Sequence, residues 1–478
     1  MAVLEHLEPK AVFDYFEQLC AIPHGSGNTA AVSDWLMAFG AEHGLEAHRD
    51  AAGNVILASP AAPGYEDAPT VILQGHTDMV CEQAPDCAKD MAREGLDLAV
   101  EGDLVYARGT TLGGDDGIAV AMMMAVLADR EMPRPRVEGL FTVDEEVGML
   151  GAAALDASPL RGRTLINLDS EEEGIFTVSC AGGNVTCCVL PVRREPFAGT
   201  ALRLRISGLQ GGHSGVEIHK GRGNADMLLG RVLFAARGAD LRLVSLRGGT
   251  KDNAIPREAE AVLVAADEAA FRTACAGMDA LLKDEYRVTD PAVAVTVEAA
   301  ECGDLPMDKP STERTVCMLT CLPNGPQTMS ADIPGLVQAS LNLGILESDG
   351  ESVSASFCVR SSVASQEDML TDRLACLMGQ LGGSAEVSDH YPGWAYRPDS
   401  PLREKMVEVF RRLYGREPAI EAVHAGLECG MLAEALPGLD CVSMGPDLEE
   451  VHTCRERLHI ASVQRTWDFL REVLKELR

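Results

Sequence analysis

Seven acidic and imidazole side chains that follow apolar, strand-like runs are the residues best suited to chemistry: His76, Asp78, Asp115, Glu145, Glu146, Asp169 and His452. The clearest case is Val71-Ile-Leu-Gln-Gly-His76-Thr-Asp78, where an apolar run closed by Gly delivers a His and an Asp two positions apart. In an open α/β sheet, ligands bind at the carboxyl ends of the strands. A neutral imidazole beside a carboxylate suits a metal ligand held by its partner, although the pair alone is an ordinary capped turn. Residues 137–143 run into Asp144-Glu145-Glu146, three adjacent carboxylates whose repulsion calls for a cation. Residues 165–168 end in Asp169, and 441–444 lead through Gly445-Pro446 to His452. Asp115 closes a Gly-rich loop before an apolar helix, so on local grounds it also reads as an N-cap. Carboxylates and imidazoles without thiolates suit zinc or manganese rather than a structural zinc knot. Two cations ~3.5–4 Å apart that share one carboxylate would use about five of these groups and leave one carboxylate to move a proton.

The chain has 478 residues, too many for one core, with ordinary hydrophobic (46%) and charged (24%) content. A net charge of −32 excludes nucleic acid and anionic membrane as partners, because both would be repelled. The N-terminus Met1-Ala-Val-Leu-Glu-His shows no signal peptide. The longest apolar run, 117–128, is too short to span a bilayer. Fifteen cysteines without regular spacing read as reduced thiols of a cytoplasmic protein, with Cys317 and Cys321 on one strand face.

The elements that position these groups follow from periodicity. Helices are expected near 9–20, 30–43 and 118–127, and strands near 45–49, 54–58, 71–75, 137–143 and 165–168. From about 202 to 299 the order is strand, helix, strand, strand, helix, strand, which is ferredoxin-like. A second, less complete version follows, with strands at 316–321, 339–345 and 352–359, a helix at 367–381 and a last strand. From about Gly393 the α/β pattern resumes, with helices at 402–413 and 462–477 and strands at 419–423 and 441–444. The simplest architecture is an α/β, two-domain chain. Residues 1–184 and 393–478 make a mixed-sheet domain, and residues 185–392 an inserted α+β ferredoxin-like domain.

Several longer motifs sharpen this. They are Leu-Gln-Gly-His76-Thr-Asp78-Met-Val, Thr-Thr-Leu-Gly-Gly-Asp115-Asp-Gly-Ile, Asp-Glu145-Glu146-Val-Gly-Met, Ile-Asn-Leu-Asp169-Ser-Glu and Cys-Ala-Gly-Gly. The insert adds Gly-Gly-His213-Ser-Gly-Val-Glu-Ile-His and Asn253-Ala-Ile-Pro-Arg-Glu. The C-terminal part adds His424-Ala-Gly-Leu-Glu-Cys-Gly and Met-Gly-Pro followed by Val-His452. In these motifs and their order the chain resembles the co-catalytic zinc peptidases and amidohydrolases that include carboxypeptidase G, acetylornithine deacetylase and peptidase T. Gly114 and Asp116 stand where Ala and Asn are expected in closer relatives, and His452 sits in an unusual Glu-Glu-Val-His-Thr setting.

The resemblance implies a zinc-peptidase catalytic domain, with the insert as its lid. It implies two divalent metal ions, Zn2+ first with Mn2+ or Co2+ as alternatives. Asp115 would bridge them, His76 and Asp169 complete one site, and Glu146 and His452 the other. Asp78 would orient His76, Glu145 act as general base, and His213 of the insert meet the oxyanion. Asn253, Arg360 (in Cys358-Val-Arg360-Ser-Ser) and His424 are the residues to hold a small peptide substrate. The activity implied is hydrolysis of unblocked dipeptides, Xaa-His of the β-alanyl-histidine type among them. An N-acyl-amino-acid deacylase on the same metals is the alternative. A non-catalytic metal- or peptide-binding protein would have lost Glu145 or a ligand, and none is lost. Closure of the two domains on substrate is expected, and a homodimer stays open beside a monomer.

Overall fold

Continuous apolar runs form strands buried on both faces, and Val71–His76 and Val137–Thr142 are buried at every residue. The computed structural model describes residues 3–478; Met1 and Ala2, which open the N-terminal stretch read above, lie outside the described residues. The chain forms two units. The first comprises the residues up to Ser179 together with Tyr396–Ala422 and Leu427–Arg478, and the second comprises Cys180–Ala395 and Val423–Gly426.

The first unit holds an eight-stranded sheet in the order Glu46–Arg49, Val55–Ser59, Val137–Thr142, Val71–His76, Thr164–Asn167, Asp440–Ser443, Ile175–Cys180, Ala419–Val423. Four central strands, Val137–Thr142, Val71–His76, Thr164–Asn167 and Asp440–Ser443, are mutually parallel. Their carboxyl ends therefore share one edge, from which the chain continues into Asp78, Glu145-Glu146, Asp169 and Gly445. The helix Gly114–Ala128 is apolar almost all round and almost wholly buried, as a core helix should be. Phe13, Phe16 and Leu19 of the helix Lys10–Cys20 join the same core. A separate four-stranded sheet in the order Leu448–Glu449, Arg457–His459, Leu104–Ala107, Leu98–Glu101 supports the segment that carries His452. Two of its strands lie in the acidic stretch after Asp78, where alternation is too short to read.

The second unit is built on one antiparallel sheet in the order Ala294–Ala299, Thr200–Ser207, Ala259–Ala265, Leu241–Gly249, Val337–Ser348, Ser352–Ser361, Gly182–Pro191, Ser384–Tyr391, with Gly325–Met329 pairing to Val337–Ser348. The first four strands, with helices Ala225–Ala235 and Glu268–Glu285, make one βαββαβ motif. The other four make a second, complete one, with helices Lys309–Cys321 and Ala364–Leu381. In each, the first and third strands lie in the middle, as a ferredoxin-like unit requires. The first motif is nested inside the second, between its opening strand Gly182–Pro191 and its first helix. Side chains from all four helices, including Leu229, Phe271, Leu319 and Leu374, share one core with the sheet.

The segment 316–321, expected as a strand, belongs to the helix Lys309–Cys321. Asp308 caps that helix through Ser311 N (2.7 Å), and Pro310 sits in its first turn. Thr312, Thr315, Val316 and Leu319 are then buried at helical spacing; their β-branched character misled the reading toward a strand. Cys317 and Cys321 lie one helical turn apart, with Sγ atoms 3.9 Å from each other. All fifteen cysteines are free thiols.

Within the sheet the two motifs join through three residue pairs, Arg247↔Glu347, Gly248↔Leu346 and Gly249↔Ile345. Gly249 has φ +63°, and a Cβ there would lie 1.9 Å from the carbonyl oxygen of Gly344. Gly249→Val should therefore destabilise the chain by about 2–4 kcal/mol, from left-handed strain plus overpacking. Urea denaturation measures this; an unchanged midpoint would contradict so tight a join.

Candidate metal centre

Each acidic or imidazole group of the first unit reaches the sheet edge because it lies within a few residues of a strand or helix end. Asp115 occupies the turn that opens the helix Gly114–Ala128, and the Asp115–Asp116 peptide is cis. Its carboxylate lies between two imidazoles, with Oδ1 3.1 Å from His76 Nε2 and Oδ2 3.1 Å from His452 Nε2. His76 Nε2 also lies 3.6 Å from Asp169 Oδ1, and His452 Nε2 lies 2.9 Å from Glu146 Oε1. Donor atoms of His76, Glu145 and Glu146 fall within 4.8 Å of one another, as do those of Asp115, Glu146 and His452. His459 is turned away to Glu449, at 3.0 Å.

His76, Asp169 and Asp116 make another such trio. The Asp116 carboxylate, however, accepts the backbone N–H of His76 at 3.1 Å and is fully buried behind the strand. Asp115, which touches both imidazoles, is the better donor. Asp78 braces the arrangement. Its Oδ1 is 3.4 Å from His76 Nδ1 and accepts Glu145 N at 2.9 Å, while Oδ2 accepts Glu146 N at 3.3 Å and Ser26 Oγ at 2.8 Å.

The electrostatics are those of excess negative charge in a dry place. Burial pushes the Glu145 and Asp169 carboxyls up, and neighbouring carboxylates push them further. Burial and the nearby Asp115 and Asp169 lift Glu171 to about 7. Bonds to Asp115 and Glu146 raise His452 to about 10. For His76, burial acts downward but the bonds to Asp115 and Asp169 outweigh it, so it is raised well above its ordinary value. The donor chemistry, hard oxygens with two borderline nitrogens and no thiolate, fits divalent ions of the zinc and manganese type.

The buried Glu428 carboxylate ties together side chains of two neighbouring strands, one of which in turn holds a side chain of a third. Glu428 Oε2 accepts Thr142 Oγ1 at 2.7 Å and Gln74 Nε2 at 2.6 Å, and Gln74 Oε1 accepts Asn167 Nδ2 at 2.7 Å. Burial lifts Glu428 to about 7. Ser26 and Glu428 act through other residues, so no local spacing marks them.

The second unit gathers His213, Asn253, Arg360 and His424. His213 Nδ1 accepts the backbone N–H groups of Gly215 and Val216, at 3.0 and 3.2 Å. The neutral ring must then carry its proton on Nε2, as a donor. Burial and Arg360 hold its pKa below the ordinary value. Asn253 is gripped on both sides, because Asn342 Nδ2 donates to the carbonyls of Asp252 (3.0 Å) and Ala254 (2.9 Å). His424 Nε2 meets Ser340 Oγ at 2.7 Å, and burial with Arg360 and His213 lowers it to about 3. Arg360 is 7% exposed and donates to Tyr391 Oη at 2.6 Å, while its Nε has no partner. Among the described residues no carboxylate forms an ion pair with it. A cavity of about 830 Å³ in this unit is lined by His213 and Asn253 together with Arg205, Arg247 and Arg257.

Known proteins resemble the chain over nearly its whole length. The sequence pattern described as "Peptidase family M20/M25/M40" matches residues 72–476. The chain is 36% identical to the cytosol non-specific dipeptidase of Escherichia coli (strain K12), over 100% of this chain and 99% of that protein. The crystal structure of aminoacylhistidine dipeptidase from Vibrio alginolyticus superposes with a TM-score of 0.95 at 34% identity, covering 99% of this chain and 98% of that one. An aminopeptidase from Bacillus cereus shares the fold, with a TM-score of 0.56 at 16% identity over 98% of this chain and 99% of its own. The chain belongs to peptidase family M20/M25/M40.

Proposed function

We propose that this chain is a metal-dependent dipeptidase of the cytosol that hydrolyses unblocked dipeptides, Xaa-His among them, with two divalent ions, zinc in the first place. The observation that carries the reading is one carboxylate, Asp115, lying 3.1 Å from an imidazole on either side, with Asp169 beside one and Glu146 beside the other. The names of the two full-length relatives support the substrate class. No helix of the described residues is long and apolar enough to cross a membrane.

His76, Asp115 and Asp169 would hold one ion, and His452, Asp115 and Glu146 the other. When bound, two such ions would lower the pKa of a nearby water toward neutrality and draw charge from a carbonyl oxygen. The remaining steps belong to the chain. Asp78 fixes the ring of His76. Glu145, pinned at its backbone by Asp78, takes the proton of the attacking water and delivers it to the departing amine. His213 offers Nε2–H to the developing oxyanion. Arg360, a buried cation without an anionic partner, suits the free carboxylate of a small peptide, and Asn253 and His424 complete the polar lining for it.

Glu145→Gln should keep both ions and the fold but lower kcat by at least ~10²–10⁴-fold, the usual contribution of a general base. Metal analysis alongside turnover checks this, and a variant with half the parental rate would displace Glu145 from the role. For the substrate class, a panel of dipeptides, tripeptides and N-acetyl amino acids under identical conditions decides. Dipeptides, β-alanyl-histidine included, should turn over fastest and tripeptides little. Faster hydrolysis of N-acetyl amino acids would make the chain a deacylase.

A further inference from the structure

We propose that Glu456, outside the donor set, is the positioning residue that shapes the Asp115 turn so that one carboxylate can serve both imidazoles. The proposal rests on the two-ion reading above and extends it to a residue that would touch neither ion nor substrate.

The Glu456 side chain is 2% exposed, and its carboxylate accepts four successive backbone N–H groups. Oε2 takes Leu112 N at 2.7 Å and Gly113 N at 3.0 Å; Oε1 takes Gly114 N at 2.8 Å and Asp115 N at 3.2 Å. Gly113, Gly114 and Asp115 open the helix, where N–H groups lack intrahelical partners and an anion is at home, and Leu112 lies one residue before the cap. The turn is otherwise tight. Gly113 has φ +66°, and a Cβ on Gly114 would lie 2.7 Å from Leu448 Cδ2 and 3.2 Å from Glu456 Oε1. Glu456 also lies four residues after His452, in a turn closed by its own N–H on Thr453 O (3.1 Å). The next strand, Arg457–His459, is pinned at Leu458↔Val105. One carboxylate thus fastens the segment bearing His452 to the turn bearing Asp115, and those two side chains meet at 3.1 Å. A change at Glu456 moves the shared carboxylate relative to its second imidazole.

Glu456→Gln tests this, because the amide nitrogen cannot accept and would set N–H against N–H on half of the turn. Zn2+ affinity of the full-length chain is measured by competition with a chromophoric chelator, and its folding by circular dichroism. The expected result is a folded protein that binds zinc ~10–100-fold more weakly, the usual cost of removing a group that orients metal ligands. Activity lost at limiting zinc should return in excess zinc, with KM for a dipeptide unchanged. A purely structural cap would lower thermal stability and leave zinc affinity alone. Parental affinity in Glu456→Gln overturns the proposal, whatever happens to Tm. Should that variant fail to fold, Glu456→Asp keeps the charge but shortens the side chain by one methylene, so the carboxylate no longer reaches all four N–H groups. It should weaken zinc binding in the same direction, and unchanged affinity there is equally decisive against the proposal. A parent chain that binds no pair of ions contradicts the two-ion reading instead, so the two failures are separable.

Discussion

Negative charge gathered at one sheet edge is the constraint around which the first unit is built. Asp115, Glu145, Glu146, Asp169 and Glu171 converge there with the imidazoles of His76 and His452. Burial strengthens their mutual repulsion, because little water remains to screen it. A chain folded for stability alone would scatter these carboxylates. Here Asp78 braces His76 and the acidic turn at once, and Glu428 ties Thr142 to Gln74 across neighbouring strands. These bonds keep the repelling groups together, which is useful only if cations are to be bound.

Parallel strands make the gathering cheap in geometry. Four neighbouring strands running the same way end at the same edge, so residues one to four positions past each strand meet without any long excursion. The second unit solves a different problem with a different sheet. Its antiparallel, doubled ferredoxin-like motif is polar where it offers His213, Asn253, Arg360 and His424, and apolar where its four helices cover it. The Nδ1 of His213 is occupied by two backbone donors, and Arg360 is buried without an anion.

Much of this is legible in the sequence, for a physical reason. A candidate site residue that directly follows an apolar, strand-like run is found by reading the run, and this holds for His76, Glu145, Glu146 and Asp169. The first ferredoxin-like motif is contiguous, so its element order is read directly. The second is split by more than a hundred residues between its first strand and first helix, so it looks incomplete from the sequence. Its helix Lys309–Cys321 carries β-branched residues on its buried face and imitates a strand, although Asp308 and Pro310 signal a helix start. Ser26 and Glu456 are invisible to motif reading, and the motif that contains Glu428 gives no sign of what its carboxylate holds. They act on backbone N–H groups or on other side chains far away in sequence, and only coordinates show such bonds.

The most direct test of the central claim is a metal-edge anomalous diffraction measurement on crystals of active, zinc-loaded protein. Two anomalous peaks ~3.5–4 Å apart, flanking the Asp115 carboxylate with one near His76 and the other near His452, are the predicted result. A fully active preparation with a single peak, or with peaks away from Asp115, would contradict it.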